Sequence, residues 1–530
     1  MLSPTAAQDR AAALIDYARR AGADAADAVY SGQLSEGVQV RLGALEDVER
    51  SESEHLDLRV FTGRRSASVG SSDLSDAALQ ELAERAVAMA RLAPEDPYAG
   101  LAPAELLARG PMLELDVADP RELGPAQLRE LALEAENAAR AVAGVTNSEG
   151  GSAAIGARSF ALVTSHGFAG SFGGTSRQVS ASVIAGEGSA MQRDYAYRSA
   201  HHLEDLTTPD EIGRQAGERA VARLNPGKLK SGSMPVVFDP RVGGSLIGHL
   251  AGAISGSAIA RRASFLLDHA LAQIFAPGIT IADDPLRLRG LSSRPFDGEG
   301  LPTAPRLLVE DGRLTGWLMD SAAARQLGAA PTGHAVRGAG GAPGVSPSNL
   351  HLAAGSLSVA ELIADIEEGV LVTELIGSGV NGVTGDYSRG ASGLRIIRGE
   401  IAGPVAEFTI AHAAALGRRQ AGRYWDMFLG GKRGRYSCEI NAWAACRSGV
   451  SRPSVNQPNR GRMTWRASGD RARASQKRSA HVGVADATLG GCQCISGQAL
   501  EDCDFLSATK SGFKPVLINR QLESNIGCFQ

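Results

Sequence analysis

The sequence predicts an α+β protein with a mixed N-terminal domain, a strand-rich C-terminal domain and an atypical basic tail. Three observations carry that prediction. Apolar residues at Ala7, Ala11, Leu14, Ile15 and Ala18 recur at helical spacing. Leu56, Leu58 and Val60, and later Val179, Ala181 and Val183, alternate with polar neighbours as half-buried strands do. After residue 411 the usage of Cys, Trp, Lys and Arg changes abruptly, so the remainder of the chain is a separate composition.

Taken in order, the first helix is expected over residues 6–22, with Asp9, Arg10, Asp16, Arg19 and Arg20 off its apolar face. Short strands are expected at residues 28–30, 38–42 and 56–61. Ser75 is placed to cap a second helix running to about residue 91. A third helix opens at Pro125, where the missing N–H of proline costs no hydrogen bond. Residues 151–200 alternate as strands. Thr208-Pro209-Asp210-Glu211 is a capping box with proline at the first helical position, and Asn225-Pro226-Gly227 ends the helix it opens. The N-terminal domain is therefore bounded at residues 1–228 and the C-terminal domain at residues 229–411.

The second domain opens with a strand, Met234-Pro235-Val236-Val237-Phe238, and a helix rich in small residues over residues 242–260. Asp311-Gly312 between two apolar runs is a strong two-residue hairpin signal. Further strands are expected at residues 371–376, 394–397 and 405–410.

Charge sharpens the division. The formal net charge of −4 over 530 residues conceals two opposed parts. Residues 412–530 hold 18 basic and 8 acidic side chains, a net +10, which leaves −14 on the first 411. All six cysteines (Cys438, Cys446, Cys492, Cys494, Cys503 and Cys528) and Trp425, Trp443 and Trp465 lie in the tail. No run approaches 18 apolar residues and no basic region precedes an apolar stretch at the N-terminus, so neither a membrane span nor a secretory signal is expected. A cytoplasmic protein with no membrane partner follows as the expectation.

Several chemistries can be weighed residue by residue. No two of the ten histidines stand at i, i+4 or i, i+5, so no helix offers a paired-imidazole metal site; surface or capping roles are expected for them, His201 and His202 included. Gly252-Ala253-Ile254-Ser255-Gly256 misplaces its serine for a nucleophile elbow, and packing of small residues is the better account. The glycine-dense run 377–385 lacks the lysine and following helix of a phosphate loop. Asp283, Asp284, Asp297 and Glu299 form an acidic group that could bind a cation, though solvated, turn-ordering carboxylates are expected instead. Cys492-Gln493-Cys494 with Cys503 has no second pair at zinc-finger spacing, and the basic stretch 460–478 has no recognisable nucleic-acid module around it.

From residue 233 onward a set of unusual strings coincides. They are Ile279-Thr280-Ile281-Ala282-Asp283-Asp284-Pro285, Ser293-Arg294-Pro295-Phe296-Asp297-Gly298-Glu299-Gly300, Thr332-Gly333-His334-Ala335 and Pro347-Ser348-Asn349-Leu350. A last, long one runs from Val372-Thr373-Glu374 through Asn381-Gly382-Val383-Thr384-Gly385-Asp386-Tyr387-Ser388-Arg389 to Gly393. Together they resemble the TldD/PmbA family, on its PmbA (TldE) side, over roughly residues 8–411. That resemblance implies a cytosolic, heterodimeric zinc metalloprotease associated with unfolded peptides, maturation of a peptide-antibiotic precursor and antitoxin degradation. It also implies that the TldD-type subunit carries an H-E-x-x-x-H zinc motif on the helix after the strand that opens the second domain. Here Asp239, Pro240 and Gly244 stand at the three functional positions of that motif.

A proline cannot act as the general base, so the chain is expected to be the non-catalytic partner. No metal is expected in it, zinc being expected in a TldD-like catalytic subunit. Asn381, Asp386, Tyr387, Ser388 and Arg389 are the candidates for contacting unfolded peptide or the partner. The alternative is a regulatory or nucleic-acid-binding protein, a modulator of DNA gyrase acting through the tail without a protease role. A self-contained hydrolase using Asp283, Asp297 and Glu299 is a third reading. The tail departs from the family's pattern and fits a frameshift or fused reading frame, disordered or poorly packed, better than an appended module.

Overall fold

The structure is a computed structural model that describes residues 1–412, Ala339 excepted, and two short strands, Ser437–Ala442 and Pro515–Leu517. It is α+β, as expected. The N-terminal half is built on one six-stranded antiparallel sheet in the order β3-β2-β1-β4-β5-β6. The strands are β1 (Ala25–Arg41), β2 (Ala44–Thr62), β3 (Arg65–Ser71), β4 (Val145–Thr164), β5 (Ala169–Ala185) and β6 (Gln192–Ala200). Four of them far exceed the expected short runs. The reason is visible in β2: its residues 44–53 are exposed on both faces, so no apolar alternation marks them. In β4 and β5 the buried positions are often Gly, Ala and Ser, which hides the period.

Helices α1 (Pro4–Arg20) and α2 (Asp76–Leu92) cover one half of one sheet face, and α3 (Pro125–Arg140) and α4 (Pro209–Ala222) cover the other half. Ser3, Ser75 and Thr208 accept from the first turn of α1, α2 and α4, which satisfies donors that helix geometry leaves open. The α3–α4 contact is made of small residues: Ala132, Ala135 and Ala139 meet Gly213, Ala216, Gly217 and Ala220. Buried Glu136 of α3 accepts from the backbone N–H groups of Leu42 and Gly43 at 2.6 and 2.9 Å, tying the β1–β2 turn to this helix layer.

The C-terminal half packs on the opposite sheet face. Its central sheet joins β7 (Gly232–Phe238), β14 (Glu368–Ile376), β15 (Tyr387–Ile397) and β16 (Glu400–His412), with β17 (Ser437–Ala442) lying between β16 and β7, and β18 (Pro515–Leu517) parallel to β7. Helix α5 (Pro240–Ala253) covers one face through Leu246, Ile247 and Leu250, against Val236, Phe238, Val372 and Phe408. Helix α8 (Val359–Ile363) covers the other, against Val237, Leu371 and Ile396. The expected helix over residues 242–260 is in fact two, α5 and α6 (Gly256–Ala260). Ser255 between them is extended, and Leu318 N–H donates to the Ile254 carbonyl while Gly256 N–H donates to the Leu318 carbonyl. Ser255, the serine of the false nucleophile elbow, lies in this break with its hydroxyl on Ser257.

A second, small sheet holds β8 (Ile281–Asp283), β9 (Arg306–Glu310), β10 (Arg313–Leu314) and β13 (Leu350–Leu352). The expected Asp311-Gly312 turn joins β9 to β10 with both residues at positive φ, 46° and 77°, the geometry a two-residue hairpin requires. α7 (Ser321–Leu327), β11 (Ala335–Val336) and β12 (Gly344–Val345) complete the elements.

The two halves share an extensive seam. Phe296 enters an aromatic group of Phe160, Phe168 and Phe172, with ring centroids 6.2, 5.0 and 5.3 Å away. Arg325 donates to the carbonyls of Tyr98, Gly100 and Leu101. Arg289 reaches Asp116, Glu204 and Asp205. Among the described residues no helix is long and apolar enough to cross a membrane.

Candidate functional site

Strand β7 runs parallel to β14 and delivers the chain directly into α5 at Asp239, whose N–H donates to the Val372 carbonyl at 2.9 Å. Asp239 caps α5: its carboxylate accepts from Arg241 N–H at 2.9 Å, and Pro240 occupies the first turn, where it loses no hydrogen bond. Gly244 follows on the same helix with open space where a side chain would stand. At these three positions, then, there is one carboxylate used as a cap, one ring without a proton-accepting group and one bare backbone.

What surrounds them is a network of ion pairs. The Arg241 guanidinium lies 3.0 Å from Asp194 of β6 and 3.4 Å from Asp239. Arg223, just beyond α4, pairs with the same Asp194 at 3.4 Å and with Glu374 of β14. Asp194 is buried, and two arginines satisfy it. These residues do not fit zinc. A divalent ion needs several convergent neutral or anionic donors, and here the carboxylates of Asp194, Asp239 and Glu374 are already engaged by the guanidinium groups of Arg223 and Arg241. Among the described residues no group of three or more His, Cys, Asp or Glu is arranged to hold a metal.

The loop from β14 to β15 holds Asn381 and Asp386, and the start of β15 holds Tyr387, Ser388 and Arg389, so the contact candidates are separated. The Asn381 side chain accepts from the N–H groups of Val383 and Thr384, and Thr384 donates to Asp386 at 2.7 Å, so Asn381 and Asp386 order the turn itself. Tyr387 is 1% exposed in the core, its ring edge-on to His249 at 6.3 Å, and offers the surface no atoms. Ser388 is exposed. Arg389 turns back toward α5, where its guanidinium reaches the Ser245 hydroxyl at 3.4 Å. Ser245 and His249 are the further polar side chains of this place. Sequence motifs did not single them out, because nothing in a glycine-rich helix marks which turn faces a strand far along the chain.

Two expectations are corrected. Asp283, Asp297 and Glu299 are not solvated loop carboxylates; all three are buried in or beside the seam between the halves, and Asp284 orders a half-buried turn. Asp283 accepts from the Ser348 N–H and hydroxyl and faces His334 at 3.3 Å. Asp297 accepts three backbone N–H groups, those of Glu299, Leu301 and Ala335. Glu299 accepts from Ser321 N–H and lies 4.0 Å from Arg59, which pairs with Asp27. Nor are all the histidines at the surface: His201, His202 and His334 are buried, and the ring nitrogens of His201 face the carbonyls of Thr175 and Gly290. Burial of both kinds of group has one cause: loops with abundant backbone donors and acceptors close over the sheet, and these side chains satisfy them.

The seam carries a pH dependence. Burial, and then the nearby Glu299 charge, push the Asp297 carboxyl up to about 7 against the pull of its three N–H donors. A carboxyl raised on folding contributes stability that is fully present below about pH 4 and is lost as the pH rises through about 7. Glu299→Gln removes the neighbouring charge, so the fall in urea midpoint between about pH 5 and pH 8 should become shallower. An unchanged slope would assign the raised carboxyl to burial alone.

The arrangement of sheet, cap and α5 places the chain among proteins of PmbA/TldA metallopeptidase fold. Three family regions match: domain 1 over residues 26–90, the central domain over residues 118–224 and the C-terminal domain over residues 231–415. Metalloprotease PmbA of Escherichia coli O157:H7 is 40% identical over 391 residues, 73% of this chain and 84% of that protein. The metalloprotease PmbA homolog of Haemophilus influenzae is 39% identical over 403 residues, 75% of this chain and 86% of that protein. A crystal structure from Bacteroides thetaiotaomicron, described as a modulator of DNA gyrase, superposes with a TM-score of 0.71 at 26% identity, covering 78% of this chain and 92% of its own. The chain belongs to the PmbA/TldD metallopeptidase family. Within it, the chain is a PmbA-like member.

Proposed function

We propose that this chain is the non-catalytic, PmbA/TldE-like subunit of a cytoplasmic, heterodimeric zinc metalloprotease that acts on unfolded peptides. In this reading zinc belongs to a TldD-like partner, and the chain completes the chamber and helps hold the substrate. One observation supports it above the others. At the three positions of the zinc motif stand Asp239, Pro240 and Gly244, and the carboxylates beside them are committed to Arg241 and Arg223. Pro240, at the position of the general base, cannot take the proton that activates a metal-bound water, and the neighbouring carboxylates are engaged by guanidinium groups. Extended peptide can be held by main-chain pairing at a sheet edge, which tolerates many sequences, as a degradative or maturing enzyme requires.

Purified alone, the chain is expected to hold far less than one zinc per molecule and to cleave no unfolded peptide. Adding a TldD-like protein should produce peptidase activity and a co-eluting complex. Stoichiometric zinc with peptidase activity in the isolated chain, both surviving Asp239→Ala, would overturn the proposal. The competing gyrase-modulator reading rests on the basic tail, nearly all of which lies outside the described residues.

A further inference from the structure

We infer that Arg389 and His249 form a carboxylate-binding site between β15 and α5, which takes the carboxylate of a peptide chain, while the Ser245 hydroxyl, itself donating to the Val242 carbonyl, accepts from Arg389 and orients it. This deepens the peptide-holding role proposed above and rests on it. The placement follows from the fold. Tyr387 and Arg389 are two residues apart on β15 and share a face. Ser245 and His249 are four apart on α5 and share a face as well. The pairs meet: the Tyr387 ring packs edge-on to His249, and Arg389 reaches Ser245.

Arg389 is half-buried and has no carboxylate within ion-pair distance among the described residues. Arg59, Arg223, Arg241 and Arg337 are each paired with a buried aspartate. Among the described residues the only hydrogen bond of the Arg389 side chain is the long one to Ser245, and its Nε and the His249 Nε2 are buried there without a partner. Two nearby buried nitrogens left unpaired are costly to the fold, an arrangement more easily kept where a ligand completes it. The missing group must be anionic and planar. A guanidinium presents parallel N–H donors that match the two oxygens of a carboxylate. Arg389 and His249 are both only partly buried, and among the described residues Gly244 and Gly252 of α5 have nothing within 4 Å of where a side chain would begin, which leaves room beside the helix.

The histidine supplies a readout that a structural role would not move. Burial, and then the Arg389 charge, hold the His249 imidazole below its ordinary value. An anion seated beside both would favour the protonated ring, so binding should take up a proton and tighten as the pH falls.

The test uses the full chain at about 0.15 M salt, where loose attraction to the basic tail is screened. Three unstructured peptides otherwise free of charge serve as probes: one with a free C-terminal carboxylate, one with a C-terminal amide, and one amidated with a single internal Glu. Calorimetry gives affinity, and the His249 imidazole NMR signal is followed as a function of pH. The free-acid peptide should bind and move the His249 titration upward, and the uncharged amide should bind at least tenfold more weakly. Equal binding by the internal-Glu peptide supports the site and assigns it to side-chain carboxylates; failure of that peptide alone supports it and assigns it to the chain terminus. Arg389→Gln should cost tenfold or more, and Arg389→Lys, which keeps the charge without the fork, should recover only part of the loss. Binding that ignores the carboxylate, or that survives both Arg389 substitutions with the His249 titration unmoved, would overturn the site. Partner-dependent peptidase activity is measured separately, so failure here leaves the subunit assignment standing.

Discussion

Gly213→Ala is expected to be among the most damaging single-methyl changes in the chain, lowering stability by about 3 kcal/mol or more. A Cβ at this position of α4 would collide with the Ala135 carbonyl oxygen, and it would lie 2.9 Å from both the Ala135 carbonyl carbon and the Ala138 Cβ. Backbone cannot rotate aside as a side chain can, so α4 must move off α3. That motion opens contacts made by Ala216 and Ala220, both fully buried. Gly217 faces the same limit one turn later, 2.7 Å from the Ala139 carbonyl oxygen. Helix propensity alone would make glycine-to-alanine stabilising by about 1 kcal/mol, so the sign of the effect separates close helix approach from intrinsic preference. Urea unfolding followed by circular dichroism reads it directly. A variant as stable as the parent would mean that the helices are farther apart than described.

The second large effect is at the seam. Phe296→Ala should cost about 3–5 kcal/mol, because the ring is 1% exposed and lies within aromatic contact of three phenylalanines from the other half. The damage should be directional. Hydrogen exchange is expected to rise in the facing parts of β4 and β5 and in residues 293–301, while α5 and its own core stay protected. Uniform acceleration across both halves would show that the aromatic group supports global folding instead of the contact between halves.

The contrast between these two sites shows what could be read in the amino-acid order. Helix starts were legible because their chemistry is local: Ser75, Pro125 and Thr208-Pro209 act within one turn, and all three mark observed helices. So was the Asp311-Gly312 hairpin, whose two residues carry the needed φ themselves. Strand length was not legible, because β2 leaves ten residues exposed on both faces and supplies no period to detect. The break at Ser255 was hidden too, since its cause is Leu318, more than sixty residues away.

At the candidate site, it was evident from residue type alone that Asp239, Pro240 and Gly244 offer one carboxylate and no other polar side chain. What surrounds them was not. Asp194 and Arg223 come from the other half, and only folding brings them to Arg241. The same holds for His249 and Ser245 beside Arg389. Burial of Asp297 and Glu299 was misjudged because a Pro/Gly-rich acidic segment looks like surface until a sheet face closes over it.

The uncovered half of β2 has a consequence for how molecules of this protein meet. An open strand edge invites a like strand to add to it, and here the invitation extends over residues 44–53 with Leu45 and Val48 in the open. Yet Glu46, Asp47, Glu49 and Glu52 punctuate that edge, with Arg50 the only cation among them. Two copies laid edge to edge would set carboxylates against carboxylates. The edge thus discourages growth into stacked sheets by its own charge, and it leaves basic strands as the neighbours it can accept.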